Sequence, residues 1–425
     1  MAPMSQTETR TEMTLETARF VTSARAAALL ATLTPAHLTD DALLTTLDAL
    51  RTQVSADEAA ALVTQARLRL RAREKFPDAD RLFFTADALE QATHAQPAAY
   101  RAGQIAAQAP PGPVLDLGCG IGGDALALAR HRPVIAFERD PARAHLARAN
   151  VAALGLADRI EVRGDDWTAV LAAGHLPTAA AAFIDPARRR GGRRLMRLAD
   201  LEPGPVWFAR VAAHVPVVAV KVMPGIDDAE IPATCGVEFV GHAGQCKEAV
   251  LWFGHAPGTR RAAIHVDGAW HTLSAGGVYP PVGPLAAGMT LHEPHPAAIR
   301  AGAFAELCTA LAAHLFDPQI AYLVSPTRRT HPLVQSFVID WVAPFSLKQL
   351  NRHLRAADIG RVELKKRGFP LEPEQLRARL TLAPGGAAAV IFFTRQGDQR
   401  LTLVGRRLQP GLMPPEPVSE EVEHV

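Results

Sequence analysis

Aromatic side chains are scarce in this 425-residue chain, which has three tyrosines and five tryptophans. A single-strand binding platform, on which successive bases stack between interleaved rings, has little to build on. The four cysteines, Cys119, Cys235, Cys246 and Cys308, are scattered, with no CxxC pair and no His/Cys cluster at metal-ligand spacing. Neither a disulfide framework nor a metal site is expected. Nowhere do about 18 uncharged apolar residues run together, so no membrane-spanning helix is expected. The N-terminal MAPMSQTETRTEM has no basic segment followed by an apolar one, and a cytoplasmic protein is expected. Neither sign of charge dominates: 45 Lys and Arg against 43 Asp and Glu leave a formal +2. Bulk charge therefore does not point to a polyanionic partner. There is no internal repeat.

What is present is a globular composition, 48% hydrophobic, in a chain long enough for two or three domains of about 150 residues each. After a polar start of about 13 residues that is expected to be disordered, residues 14–75 carry apolar positions at helical spacing. Thr39 and Ser55 are candidate N-caps there. A further helical stretch, 85–108, runs into the breaker APPGP, and residues 1–97 are read as an N-terminal helical region. From Val114 to about Gly254 short apolar runs (VLDLG, VIAFE, RIEVRG, AAAAFIDP, VVAVKVMPG) alternate with helical patterns. That alternation predicts a doubly wound, mostly parallel sheet over 98–256. The last two runs, VEFVGH and EAVLWFG, have no helix between them and are expected to pair antiparallel. Residues 257–319, with a tight hairpin at Asp267-Gly268, read as a β-rich insertion or linker. Residues 320–408 read as a third, α+β unit, and the Pro/Glu-rich tail 409–425 as disordered.

The segment Gly118-Cys119-Gly120-Ile121-Gly122-Gly123 follows a strand and precedes a helix, so its glycines fit either of two nucleotide cofactors. Asp116 separates them. A carboxylate just before the first glycine repels a pyrophosphate but suits the ammonium of an aminoacyl group, which favours S-adenosylmethionine over a dinucleotide. Glu138, at the end of the second strand, can accept from both ribose hydroxyls. Asp165, after the third strand, can accept from the adenine amino group, with Asp166 a near-equal alternative. Asp140 reads as a helix cap ahead of Pro141.

Taken in order, DLGCGIGGD, FERD, GDD and FIDPARR resemble the successive motifs of class I S-adenosylmethionine-dependent methyltransferases, over about a third of the chain. With EQATHAQPAAYRA, VKVMPGIDDAEIP, GQCKEAVLWFG and ELKKRG, the chain is similar to a bacterial methyltransferase family with a C-terminal THUMP-like domain. The resemblance implies an α/β fold with a Rossmann-like seven-stranded sheet. It also implies S-adenosylmethionine as cofactor, held by Asp116, Gly118, Gly120, Gly122, Glu138 and Asp165, and an enzymatic activity.

The same resemblance places the reaction edge at Asp185-Pro186-Ala187-Arg188, with Asp185, Pro186 and Arg188 as candidate catalytic residues. Ala187 and Arg188 stand where amino-group methyltransferases carry a proline and a stacking aromatic, and the loop is nearer the Asp-Pro-Pro-Arg of tRNA and rRNA enzymes. Methyl transfer from a sulfonium mostly needs alignment and desolvation of the nucleophile, so a strong base need not exist. A covalent cysteine route is disfavoured because the loop holds no cysteine; Cys246 on the rim is the remaining candidate. Arg188, Arg189, Arg190, Arg193 and Arg194 form a basic run able to grip phosphates. Lys221 could face substrate or satisfy a local carboxylate, and Lys247-Glu248 lies on the same rim. Lys365, Lys366 and Arg367, beside Arg377 and Arg379 and with Arg328 and Arg329 as possible additions, form a second basic patch that a THUMP-like module would present to structured RNA. RNA is the expected partner, with an S-adenosylmethionine-binding, RNA-interacting protein without catalysis, or a methyltransferase for a small molecule or protein, as alternatives.

Overall fold

The computed structural model describes residues 13–187, 189–190, 193–195, 197–276 and 279–408, without the side chains of Arg189, Arg190, Arg193 and Arg194. Arg188 and the two termini expected to be disordered lie outside the described residues. The chain forms two compact units, residues 1–237 with 248–258, and residues 238–247 with 259–425.

The first unit opens with helices α1 (Leu15–Val21), α2 (Ala24–Thr32), α3 (Leu43–Arg51), α4 (Ala56–Ala72), α5 (Ala86–Gln91) and α6 (Ala95–Gln108). Ser55 caps α4 as expected, with Glu58 returning a bond to the Ser55 N–H at 2.9 Å. Thr39 does not cap α3: a 3-10 turn started by Pro35 ends at Thr39, whose hydroxyl donates to the Ala36 carbonyl, and α3 starts only at Leu43. These helices have a core of their own, with Leu29, Leu30, Leu50, Leu62 and Val63 buried together, and they share a second one with the sheet domain. Ala18, Leu68, Phe76 and Phe84 pack with Ile121, Ala142 and Leu146, so the helical region is a wall against the glycine loop and the helix beyond it.

The strands β1 (Val114–Leu117), β2 (Val134–Phe137), β3 (Ile160–Arg163), β4 (Ala181–Ile184), β5 (Val217–Val222), β6 (Cys235–His242) and β7 (Gln245–Phe253) pair in the order β3–β2–β1–β4–β5–β7–β6. The first five are parallel, joined through α7 (Gly123–Leu128), α8 (Pro141–Ala153), α9 (Trp167–Ala172) and α10 (Pro205–Ala212). β7 inserts antiparallel beside β5. β1 and β4 are buried throughout because helices cover both faces, which is why they read as unbroken apolar runs. The strand order reverses direction between β1 and β4, and in open α/β sheets that is where a crevice opens at the carboxyl ends.

In the second unit β8 (Arg260–Val266) and β9 (Ala269–Ser274) form the expected hairpin, with Asp267 and Gly268 at φ 50 and 81°. A further sheet contains β10 (Thr290–Pro294), β11 (His314–Leu315), β12 (Leu323–Ser325), β13 (Val334–Pro344), β14 (Ile359–Lys366), β15 (Ala387–Gln396) and β16 (Gln399–Arg407), in the order β11–β12–β10–β13–β16–β15–β14. Helices α11 (Pro296–Ala301), α12 (Phe304–Leu311), α13 (Leu347–Ala356) and α14 (Pro373–Arg377) complete the unit. Part of the segment read as a linker is therefore internal to this sheet: β10 lies between β12 and β13, with Leu291 opposite Phe337 in a shared core.

β10 also carries His292, fully buried, its ring nitrogens 2.8 Å from Ser336 Oγ and 2.9 Å from Ser325 Oγ on the two flanking strands. Burial pushes its pKa down to about 4, and that of His295 likewise to about 4. A histidine depressed in the folded state contributes stability that is present above its ordinary value of about 6.5 and is lost as pH falls through the folded value. The free energy of unfolding is therefore expected to fall by a few kcal/mol between pH ~6.5 and ~4. His292→Gln should flatten that decline, and equal slopes for the two proteins in urea titrations across this range would contradict the assignment.

Candidate active site

At the carboxyl end of β1 the chain turns sharply through Gly118, whose φ of 97° a side-chain-bearing residue rarely adopts. A Cβ there would also lie 3.9 Å from the Asp185 carbonyl, so the turn brings the loop after β1 against the loop after β4. At Gly120 the direction of a Cβ meets nothing within 4 Å, leaving open space above the backbone. Gly122 occupies the N-cap of α7. Asn150, buried on α8, holds the turn in place: its amide donates to the Ile121 carbonyl at 2.9 Å and exchanges bonds of 2.7 and 3.0 Å with the Phe83 backbone.

Asp116 is 1% exposed, and neither of its carboxylate oxygens has a hydrogen-bond partner among the described residues. Burial, reinforced by the neighbouring carboxylates of Asp124 and Asp185, pushes its pKa well above the usual range. Glu138 is almost as buried, and each of its oxygens accepts one backbone N–H, from Gly120 at 2.9 Å and from Asp140 at 2.8 Å. Those two bonds fix the carboxylate and leave lone pairs on both oxygens for further donors. Burial raises its pKa. Of the two aspartates after β3, Asp166 caps α9, accepting from the Thr168 N–H at 2.9 Å and from its hydroxyl at 2.6 Å. Asp165 is exposed at the strand end and has no such task. Asp140 caps α8 through the Arg143 N–H at 2.7 Å.

Beneath the loop after β4, Lys221 of β5 is 2% exposed and donates to Asp185 Oδ2 at 2.5 Å. Of the two readings open for it, the carboxylate partner is the one realised. Three further charged residues complete the site, of which Glu248 reads from the sequence as a rim residue and Arg101 carries no role in that reading. Arg101 of α6, 2% exposed, lies over the Phe183 ring and donates to both Asp124 and Glu248. Its neighbours Asp124 and Glu248 read locally as a first-turn acid of α7 and a rim residue of β7, and only the fold brings them together.

Asp116, Asp124, Asp185 and Glu248 thus face two buried cations, Arg101 and Lys221. Among the described residues these carboxylates outnumber the buried cations, and Asp116 is the one whose oxygens have no hydrogen-bond partner. A ligand that brings an ammonium group into this crevice fits it, and a pyrophosphate does not.

An uncharacterized S-adenosylmethionine-dependent methyltransferase from Mycobacterium tuberculosis strain CDC 1551 / Oshkosh is 33% identical over 366 residues, spanning 82% of this chain and 96% of its own length. The chain belongs to the S-adenosylmethionine-dependent methyltransferases. The counterpart in Mycobacterium tuberculosis strain H37Rv matches this methyltransferase to the same extent, 33% over 366 residues. A crystal structure of a protein assigned as a methyltransferase from Porphyromonas gingivalis W83 shares the fold, with a TM-score of 0.71 at 23% identity, over 93% of this chain and 98% of that one. The THUMP domain-like family matches residues 334–407. The cofactor is S-adenosylmethionine, and the orphaned carboxylate of Asp116 and the open space over Gly120 fit it.

In the loop after β4 of this methyltransferase, the two-residue strands Arg189–Arg190 and Arg193–Arg194 pair antiparallel. Farther along, Glu230 accepts from Arg197 Nε at 3.0 Å and from the Leu198 N–H at 2.7 Å, tying this loop to the one after β5. In the second unit the expected basic patch at the end of β14 is compensated. Lys365 pairs with Glu293 at 2.5 Å, Lys366 with Glu372 at 2.6 Å, and Arg367 with Glu293 at 3.3 Å while lying over the Tyr322 ring. Glu372 lies six positions from Lys366, but Glu293 comes from a distant part of the chain, which a local reading of the sequence cannot see. Among the described residues no group of three or more His, Cys, Asp or Glu could hold a metal, and no helix is long and apolar enough to cross a membrane.

Proposed function

We propose that this methyltransferase acts on structured RNA, transferring a methyl group to a base of tRNA or rRNA. The observation that carries the proposal is the THUMP domain-like segment, residues 334–407, in one chain with the methyltransferase sheet. Such a module contacts sugar and phosphate by shape, which suits a folded RNA. The run of five arginines between Arg188 and Arg194, following the fourth parallel strand, supports the same class of polyanionic substrate.

Bound S-adenosylmethionine supplies an electrophilic methyl group on a sulfonium. In this proposal Asp116 accepts from the ammonium, Glu138 from the ribose hydroxyls and Asp165 from the adenine amino group. The turn through Gly118, Gly120 and Gly122 gives the backbone room to approach the ligand. Asp185 and Pro186 orient the acceptor base, and Arg188, Arg189 and Arg190 grip its phosphates. Because Lys221 already occupies Oδ2 of Asp185, the carboxylate is held in one rotamer with Oδ1 left to accept from the nucleophile. Asp185 in that setting orients rather than deprotonates, which is sufficient for attack on a sulfonium.

Incubation with labelled S-adenosylmethionine and total RNA from a strain lacking the gene tests the reading, with label expected in RNA. Absence of label in RNA where the cofactor binds would contradict it. Lys221→Met is expected to lower kcat by roughly 10–100-fold, the range seen when a positioned catalytic group loses its support, with cofactor Kd changed less than about threefold. An unchanged kcat would remove Lys221 from the site.

A further inference from the structure

Because Lys365, Lys366 and Arg367 are each taken up by an acid, the face of the second unit that meets a polyanion must be looked for elsewhere. In this unit several of the exposed or half-exposed cations find carboxylates: Arg377 pairs with Glu374 at 3.0 Å, Arg406 with Asp340 at 2.8 Å, Arg407 with Glu363 at 2.9 Å and Arg261 with Glu238 at 2.8 Å. Helix α13 gathers cations without such partners on one face. Lys348, Arg352 and Arg355 are all exposed and have no acidic partner among the described residues. Spaced at i, i+4 and i+7, they fall within about a quarter of a turn of one another and form a ridge about 10 Å long. In the whole stretch 345–362 the sole acid is Asp358, beyond the helix end, while Arg361 adds a fourth cation.

The ridge is also fixed in orientation. Leu350 and Leu354, on the opposite side of α13, are fully buried, so the helix cannot roll without exposing them. Ser346 caps its first turn, accepting from the Gln349 N–H. Asn351, at the margin of the ridge, donates to the Arg379 carbonyl at 2.9 Å and accepts from the Thr381 N–H at 2.9 Å. That pair of bonds clamps the 379–381 segment along the helix and brings exposed Arg379 beside the ridge. Uncompensated cations at helical spacing, on a face held by the core behind it, are what a phosphate backbone binds without reading sequence.

We infer that the outer face of α13, Lys348, Arg352 and Arg355 with Arg379 beside them, is the phosphate-binding surface of the second unit, and that its partner is the backbone of an RNA duplex. The inference rests on the RNA reading above and specifies where on the second unit the RNA lies. The patch at Lys365–Arg367 then serves to hold strands together.

The test uses the full chain with unfractionated tRNA, measuring Kd over a series of salt concentrations beside cofactor affinity and melting temperature. The triple variant K348A/R352A/R355A is expected to bind tRNA at least tenfold more weakly, with the slope of log K against log salt shallower by about 2–3. Its cofactor Kd and melting temperature should match the unmodified protein. A variant with unchanged tRNA affinity and slope, while the unmodified protein binds tRNA, would overturn the α13 assignment and leave the RNA reading standing. No tRNA binding by the unmodified protein would overturn both. Binding to phosphatidylserine vesicles that is lost in the variant, with tRNA binding intact, would also overturn it in favour of a membrane surface. Lys366→Ala is the counter-variant: its tRNA affinity should stay within about twofold and its melting temperature should change little, since the Glu372 pair it loses is exposed.

Discussion

Asp116→Asn is expected to move cofactor affinity and apo-protein stability in opposite directions. The carboxylate is 1% exposed, both its oxygens are without partners, and Asp124 and Asp185 lie close enough to raise its pKa further. In the ligand-free protein an ionised Asp116 therefore costs stability. Asparagine has nearly the same shape and no charge, so the apo protein should melt at a higher temperature. In the complex the charge-assisted bond to the ligand's ammonium is lost. A bond of that kind is worth roughly 1.5–3 kcal/mol, so Kd should rise by roughly 10- to 150-fold. The pH dependence has a definite sign. A carboxyl whose folded pKa is raised contributes stability below its unfolded value of about 3.9 and loses it as pH rises through the folded value. The melting-temperature advantage of the asparagine variant should accordingly be small near pH ~4 and grow toward neutral pH. Calorimetry for affinity and thermal melts at several pH values check both halves. A variant that binds the cofactor unchanged, or that is less stable than the parent at neutral pH, would remove Asp116 from the role given to it.

Arg101→Met is expected to have the largest effect on stability. Arg101 is the shared partner of Asp124 and Glu248, with Glu248 and Arg101 each 2% exposed. Burial alone would lower the guanidinium's pKa, but the two carboxylates outweigh it and the value is raised. Removing one member of a buried pair leaves an uncompensated charge, at a cost of about 3–5 kcal/mol. The expected result is a loss of about that size in urea unfolding. Arg101→Lys should recover only part of it, since an ammonium cannot span two carboxylates as a planar guanidinium does. The double variant R101M/E248Q should be more stable than R101M alone, because the second change removes one of the stranded charges. Cofactor affinity should also fall in R101M, because Arg101 is the cation that holds the Asp116 pKa down against its other neighbours. A loss below about 1 kcal/mol would show that water reaches the cluster and that it is not the keystone of the site.

The parts of the fold that were legible in the sequence are those fixed by contacts close along the chain. The glycine turn, the strand and helix alternation, the Ser55 and Asp140 caps and the Asp267-Gly268 hairpin depend on residues within a few positions of one another. Thr39 was misplaced by a few residues because a proline-led turn competed for the same backbone. The limits of the second unit were less legible: β10 is a short strand, and its place in the sheet is set by its neighbours β12 and β13 rather than by its own pattern. Asp165 and Asp166 look alike in sequence, and what distinguishes them is that α9 begins where it can use Asp166 as a cap.

By itself the sequence determined the methyltransferase architecture and the cofactor class, because an acid ahead of the glycines, a second acid one strand later and the order of motifs are local patterns with direct chemical meaning. Tertiary structure decided which charges are compensated. Arg101 meets Glu248 across 147 positions, and Lys365 meets Glu293 across 72. Whether a buried carboxylate is paired or orphaned, and whether a basic run is a solvated surface or a set of internal ion pairs, depends on what the fold places within about 4 Å, where the Coulomb energy of two unit charges at an effective dielectric of about 20 is about 4 kcal/mol. That is why the sequence does not show that Asp116 lacks a partner, nor that Lys365, Lys366 and Arg367 are paired while α13 carries cations that are not.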